Sequence, residues 1–225
     1  MLEENKTPLV LEKTLVEVLR PGLDPLKFDP GYATAFDRDD EALQLFWLFC
    51  ILVSGKSATQ ASVSLNRLLK TCSGFPLTWL LNKDHFGVDC CRFTGGKTSD
   101  MTRAIEDCGI GQYKRITTAV RDSAVLDLSG SPLEVFTSVR GVGPKTARFF
   151  LLHSRKNSEI AVLDTHIMAW IREWHPDAPY PIPQNRYEEW ERVVIDKMRE
   201  TWPEQSLAAS DLSIWKQRRK RTGGE

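Results

Sequence analysis

Apolar residues recur three and four apart along most of this chain, a spacing that predicts a succession of helices. Leu11 to Leu19 is apolar at 11, 15, 16, 18 and 19, and Pro21-Gly22 stops it. After a polar, turn-rich passage from Asp24 to Asp40, every residue from Ala42 to Val53 except Gln44 is apolar, which predicts a helix over 41–53 buried on all sides. Ser54-Gly55-Lys56-Ser57 breaks that helix. The next runs to about Leu69, with apolar or small residues at 58, 61, 65, 68 and 69. Phe75 to Leu81 is a short helical candidate followed by a polar loop over 82–98.

Asp100 to Cys108 ends at Gly109, a suitable C-cap, and Gln112 to Asp122 is again helical. Ser131-Pro132-Leu133-Glu134 reads as a capping box opening a helix over 131–138, with Pro132 at the first helical position. Helices over 145–154, 165–174, 185–201 and 206–217 complete the series. No long alternating strand and no internal repeat is present, so the expected fold is all-α with about nine or ten helices. The seven tryptophans are expected mostly in the core, with Trp170 and Trp174 on one face of the helix after Asp164.

Size and charge narrow the function. The 225 residues allow one large domain or two closely shared ones, and 41% hydrophobic with 27% charged residues is ordinary for a soluble protein. Formal net charge is +0, so nucleic-acid binding would need a local basic patch. Lys216, Arg218, Arg219, Lys220 and Arg221 supply one at the C-terminus, where a solvated tail is an equal reading. The start MLEENKTPLV lacks the pattern of a signal peptide, and the apolar run 42–53 is shorter than the roughly 20 residues that cross a bilayer. A cytoplasmic protein without membrane contact is expected. Five cysteines at 50, 72, 90, 91 and 108 show no C-x-x-C spacing and four histidines are scattered, so free thiols and no metal site are expected.

Three segments superficially suggest a nucleotide loop. A Walker A loop needs a glycine where Gly55-Lys56-Ser57 and Gly96-Lys97-Thr98 have Cys50 and Cys91, and in Gly143-Pro144-Lys145-Thr146 a proline precedes the lysine. Nucleotide hydrolysis is excluded. Gly141-Val142-Gly143 instead joins two helices, with Val142 plugging the turn into the core and backbone N–H groups facing outward, a unit suited to gripping a phosphate backbone without reading sequence. Lys145 follows in the first turn of its helix, where the helix dipole disfavours a cation, and burial in a closed pocket would add to that effect. The apolar segment Ile160 to Leu163 then delivers Asp164 as the N-cap of the next helix.

GVGPKTA followed at this spacing by VLDTH resembles the helix-hairpin-helix DNA glycosylases that carry a Gly/Pro-rich loop and an aspartate, among them endonuclease III and the 8-oxoguanine DNA glycosylases. The resemblance is specific over about 105–170 and diffuse from Leu43 to Leu69. It implies a two-domain all-α fold with a cleft between the domains, here 1–55 with 165–225 as a discontinuous terminal domain and 56–164 as a helical barrel carrying the hairpin 131–154. It also implies Lys145 as nucleophile and Asp164 as its acidic partner. No cysteine follows Cys108, so the iron–sulfur cluster of endonuclease III is not expected, and the likeness is nearer the cluster-free 8-oxoguanine branch. No cofactor is expected beyond a monovalent cation at the hairpin.

By the same resemblance, Arg140, Gly141, Gly143, Thr146, Lys56 and Ser57 are expected on the DNA backbone, Lys56 standing where endonuclease III-like sequences fill the gap in the duplex with glutamine. Gln44, Phe149, Asp211 and Trp215 are base-pocket candidates, the last two because Ser210 to Trp215 looks like the closing helix of small microbial 8-oxoguanine glycosylases. The expected activity is combined glycosylase and lyase action by a monomer on double-stranded DNA containing a modified base, foremost 8-oxoguanine. The alternatives are another modified base, such as a hypermodified cytosine of phage DNA, or a non-catalytic hairpin that only binds DNA.

Overall fold

The computed structural model describes residues 33–71 and 100–221. The expected helices over 11–19 and 75–81, with Cys72, Cys90, Cys91 and Gly96 to Thr98, lie outside them. Among the described residues there are nine α-helices, numbered in chain order, two single 3-10 turns and no strand. They are α1 Asp40–Val53, α2 Ala58–Thr71, α3 Asp100–Asp107, α4 Tyr113–Asp122, α5 Leu133–Ser138, α6 Pro144–Ser154, α7 Thr165–Ile171, α8 Tyr187–Thr201 and α9 Leu207–Arg221. The fold is all-α. None of these helices is long and apolar enough to cross a membrane.

Among the described residues, contacts give two compact units, one of 38–71 with 100–142 and the other of 33–37 with 143–221. The first is built round α1. Asp39 caps that helix by accepting the N–H of Ala42 at 2.8 Å, and Leu45 through Leu52 are buried on every side. Each such side chain contributes about 1.5–3 kcal/mol when removed from water, which is why a helix with no polar face is stable here. Trp47 packs edge-on to Phe136 of α5 and donates its indole N–H to Ser123, so the helix is fixed in rotation as well as in depth.

The second unit packs α6 through α9 round a core that includes Leu152, Val162, Ile167, Trp190, Val194 and Ile214. Its grouping differs from the boundaries at 55 and 164 expected from sequence. Helix α6 belongs with the C-terminal helices because its Leu152 enters their core and its Arg148 pairs with Glu191 of α8.

Three local expectations are corrected. Helix α5 begins at Leu133 with Pro132 as N-cap and no side-chain cap, so Ser131 forms no capping box. Ser131 instead closes a turn, its N–H on the Asp127 carbonyl, while the Asp127 side chain holds Ser129 and Gly130. Helix α7 ends at Ile171, which takes Trp174 off the helical face: Trp174 is exposed and lies under the Lys197 ammonium, whereas Trp170 stacks on Trp202. Helix α9 extends through Arg221, so the basic run is helical, and Arg218 is spent on Glu173 and the Ala169 carbonyl at the end of α7.

Candidate active site

The turn Val139 to Gly143 follows α5 and leads into α6, as the hairpin reading requires. Gly141 has φ +84, and a Cβ there would stand 2.9 Å from Cγ of Arg115, so both conformation and space demand glycine. Its carbonyl accepts from Arg115, which also donates to the Ile51 carbonyl at the end of α1 and to the Gln112 side chain. Arg115 thus locks the turn to the floor of its unit. Val142 is buried, as a plug should be. Gly143 is different: its backbone is extended and nothing lies within 4 Å of a Cβ built on it, so its smallness matters only if something approaches from outside.

The expected DNA-backbone residues fall into both units, with Lys56, Ser57, Arg140 and Gly141 in the first and Gly143 and Thr146 in the second. Arg140 is exposed but makes a two-point ion pair with Asp122, whose carboxyl it holds below the ordinary range. The Ser57 hydroxyl caps α2 through the N–H of Gln60, and the Lys56 ammonium lies over Gly111. Thr146 is buried, because it sits 100° round the helix from exposed Lys145. Any phosphate contact there would use its backbone N–H and not its hydroxyl. Gln44 is half-buried in α1 of the first unit.

In the second unit, Pro144 occupies the first position of α6 and presents Lys145 in the first turn. Lys145 is exposed, at the end of α6 that precedes the point where the helix enters the core. One and two turns later along the same side come Phe149, half-buried, and His153, wholly buried, with their rings 4.7 Å apart.

Asp164 is delivered by a segment held at two points. The amide of Ala161 donates to Glu191 at 2.9 Å and the amide of Leu163 to the Tyr187 hydroxyl at 3.0 Å. Glu191 in turn takes two 2.8 Å bonds from Arg148, whose guanidinium lies over the Tyr187 ring. Burial pushes the Tyr187 phenol far above its ordinary range, so it remains protonated. At the end of this strap Asp164 caps α7, its Oδ1 accepting the N–H groups of His166 and Ile167 at 2.8 Å each.

Asp211 joins the group from α9. It is buried, with Oδ2 3.4 Å from Nε2 of His153, whose Nδ1 is 2.7 Å from the Thr34 hydroxyl. Burial raises the Asp211 carboxyl above its ordinary value. His153 and the charge of Lys145 pull it back, and the charge of Asp164 pushes it further up. Trp215, one turn beyond Asp211, meets the His166 ring edge-on. Lys145, Asp164 and Asp211 thus belong to one unit, on α6, at the start of α7 and on α9, with Phe149 on the helix of Lys145 and Trp215 on that of Asp211.

His153, Arg115, Tyr187 and the Arg148–Glu191 pair were not singled out from sequence. Only His153 carried a local signal, standing at two four-residue steps from Lys145.

No family model matches the sequence. Among solved structures, the chain is similar to the 8-oxoguanine glycosylase/lyase of Methanocaldococcus jannaschii in complex with 15mer DNA containing 8-oxoguanine, with a TM-score of 0.54 and 16% identity over 95% of this chain and 90% of that one. It is similar also to the 8-oxoguanine DNA glycosylase of Thermotoga maritima, with a TM-score of 0.53 and 17% identity over 96% and 90%. At this identity the likeness speaks for architecture, and the chain has the all-helical fold of these two glycosylases.

Proposed function

We propose that this protein is a DNA glycosylase with lyase activity at the resulting abasic site, and that its substrate is double-stranded DNA containing a modified base, foremost 8-oxoguanine. The observation that carries the reading is the placement of Lys145 in the first turn of α6 and of Asp164 as the cap of α7, both in one unit. The shared fold supports it.

In this reading the target nucleotide leaves the base stack before reaction. The free amine of Lys145 attacks C1′ and the departing base takes the electron pair of the N-glycosidic bond. The Asp164 carboxylate faces the positive charge developing on the sugar. Ring opening then gives a Schiff base between Lys145 and C1′, which acidifies C2′; loss of that proton expels the 3′ phosphate oxygen. The N–H groups of the turn and of the first turn of α6 hold the neighbouring phosphate. The same reading takes the protein to act as a monomer without a resident metal or cluster.

Single-turnover base release from a panel of modified-base duplexes tests substrate and role together. Release of 8-oxoguanine by the wild type, abolished by Asp164→Asn, is the expected result. Release intact in Asp164→Asn would remove Asp164 from the mechanism. Release confined to another base would correct the substrate.

A further inference from the structure

Asp164 stands at the end of a segment, 158–164, that is neither helix nor strand, so its backbone is aimed by whatever holds that segment. Three of its last four amides are held. Ala161 donates to Glu191 at 2.9 Å, Leu163 to the Tyr187 hydroxyl at 3.0 Å and Asp164 to the Val162 carbonyl at 2.8 Å. The Asp164 carboxylate is engaged on one side only. Oδ1 accepts the N–H groups of His166 and Ile167, and Oδ2 accepts no hydrogen bond among the described residues. Oδ2 is therefore the oxygen available to a sugar, and its direction follows the Leu163–Asp164 peptide.

Tyr187 and Glu191 stand one turn apart on α8, and they hold amides two residues apart on the segment. The lengths agree: four helical residues rise about 6 Å, close to two residues of extended chain. The two holds are unlike. Glu191 also answers the buried Arg148, and it acts three residues before Asp164. Tyr187 acts on the amide next to Asp164 through a single oxygen. Its ring is buried, with the Arg148 guanidinium 4.3 Å from the ring centre, and Arg148 follows Lys145 by three residues on α6. One side chain thus touches the peptide beside Asp164 and the helix that carries Lys145.

We propose that Tyr187 is a positioning residue for base release: its hydroxyl, by holding the Leu163 amide, aims Oδ2 of Asp164 at the sugar carbon from which the base departs. This rests on the glycosylase reading above. Breaking the N-glycosidic bond leaves positive charge on the sugar, and a carboxylate stabilises that charge only when it is correctly placed. A preformed abasic site has no such bond to break. Schiff-base formation there depends on Lys145, whose helix keeps its contact with the ring whether or not the hydroxyl is present.

Tyr187→Phe removes the oxygen and keeps the ring under Arg148, so the variant should fold. Two rate constants are measured for it and for the wild type, in single turnover at saturating protein. One is base release from the modified-base duplex that the wild type processes fastest, and the other is borohydride trapping on a duplex with a preformed abasic site. Saturation removes any effect of weaker binding or of a smaller folded fraction, which would change amplitudes and half-saturation but not these constants. Release by Tyr187→Phe should slow roughly tenfold or more, while trapping stays within about twofold of the wild type. Release at the wild-type rate would overturn the proposal. Equal slowing of release and trapping would also overturn it, because the hydroxyl would then serve α6 or the unit as a whole. No base release by the wild type from any duplex would overturn the glycosylase reading and this proposal with it.

Discussion

Glu191 accepts the amide of Ala161 at 2.9 Å with the same carboxylate that grips Arg148 through two 2.8 Å bonds. One buried acid thereby ties α6, which carries Lys145, to the segment that ends at Asp164. Two residues 19 apart in sequence are held in register by a third that reacts with nothing.

Truncating that acid should cost far more than an ordinary surface change. Glu191→Ala leaves the Arg148 guanidinium buried without a counter-charge and the Ala161 amide without an acceptor, a loss on the order of 3–5 kcal/mol. Replacing both partners, Arg148→Met with Glu191→Leu, should cost less than Glu191→Ala alone. Denaturant midpoints of the three proteins check this, and a double variant less stable than the single one would refute it.

The two glycines of the turn should separate stability from binding. Gly141→Ala forces a side chain into the left-handed region and against Arg115, and should destabilise by about 1–3 kcal/mol. Gly143→Ala meets open space and should cost no more than about 1 kcal/mol, as for a helix N-cap. Its effect should appear in weakened DNA binding, where a methyl group obstructs the phosphate. Thermal melts and a binding isotherm on the same two variants distinguish these losses.

The buried Asp211 makes a signed prediction about pH. Its folded-state pKa is raised above the unfolded value near 3.8, so the folded protein retains this proton to higher pH than the unfolded chain. Stability from this group is full below that value and falls as pH rises towards the folded-state pKa. Asp211→Asn removes the buried charge and should melt higher than the wild type at neutral pH, with the margin shrinking as the pH falls towards about 4. A margin independent of pH would show that the carboxyl is not strained by burial.

Arg140 is exposed, yet its charge is answered by Asp122. Asp122→Asn should release it towards a phosphate. Affinity for duplex DNA should rise at low salt, and the slope of log affinity against log salt should steepen by about one unit. An unchanged slope would place Arg140 away from the DNA.

The parts of the site legible in sequence are those that depend on helix ends. Pro144 at the first position of α6 and Asp164 as a cap announce their places through backbone requirements that act within a few residues. The buried helix α1 was legible because it has no polar face. What escaped sequence reading was built across elements: Arg148 meets Glu191 from 43 residues away, and Thr34 meets His153 from 119. No periodicity encodes such pairs; they follow from which helices pack together. The same reason explains Trp174, whose expected core position depended on α7 running one turn further than it does. The exposure of Lys145 is set by its place ahead of the core.

The most direct test of the account is reduction by borohydride of the protein mixed with an 8-oxoguanine duplex, followed by mass analysis of the cross-linked peptide. The account predicts a sugar-derived adduct on Lys145, lost in Lys145→Ala. An adduct mapped to another residue, or none on any modified-base or abasic duplex, would contradict it.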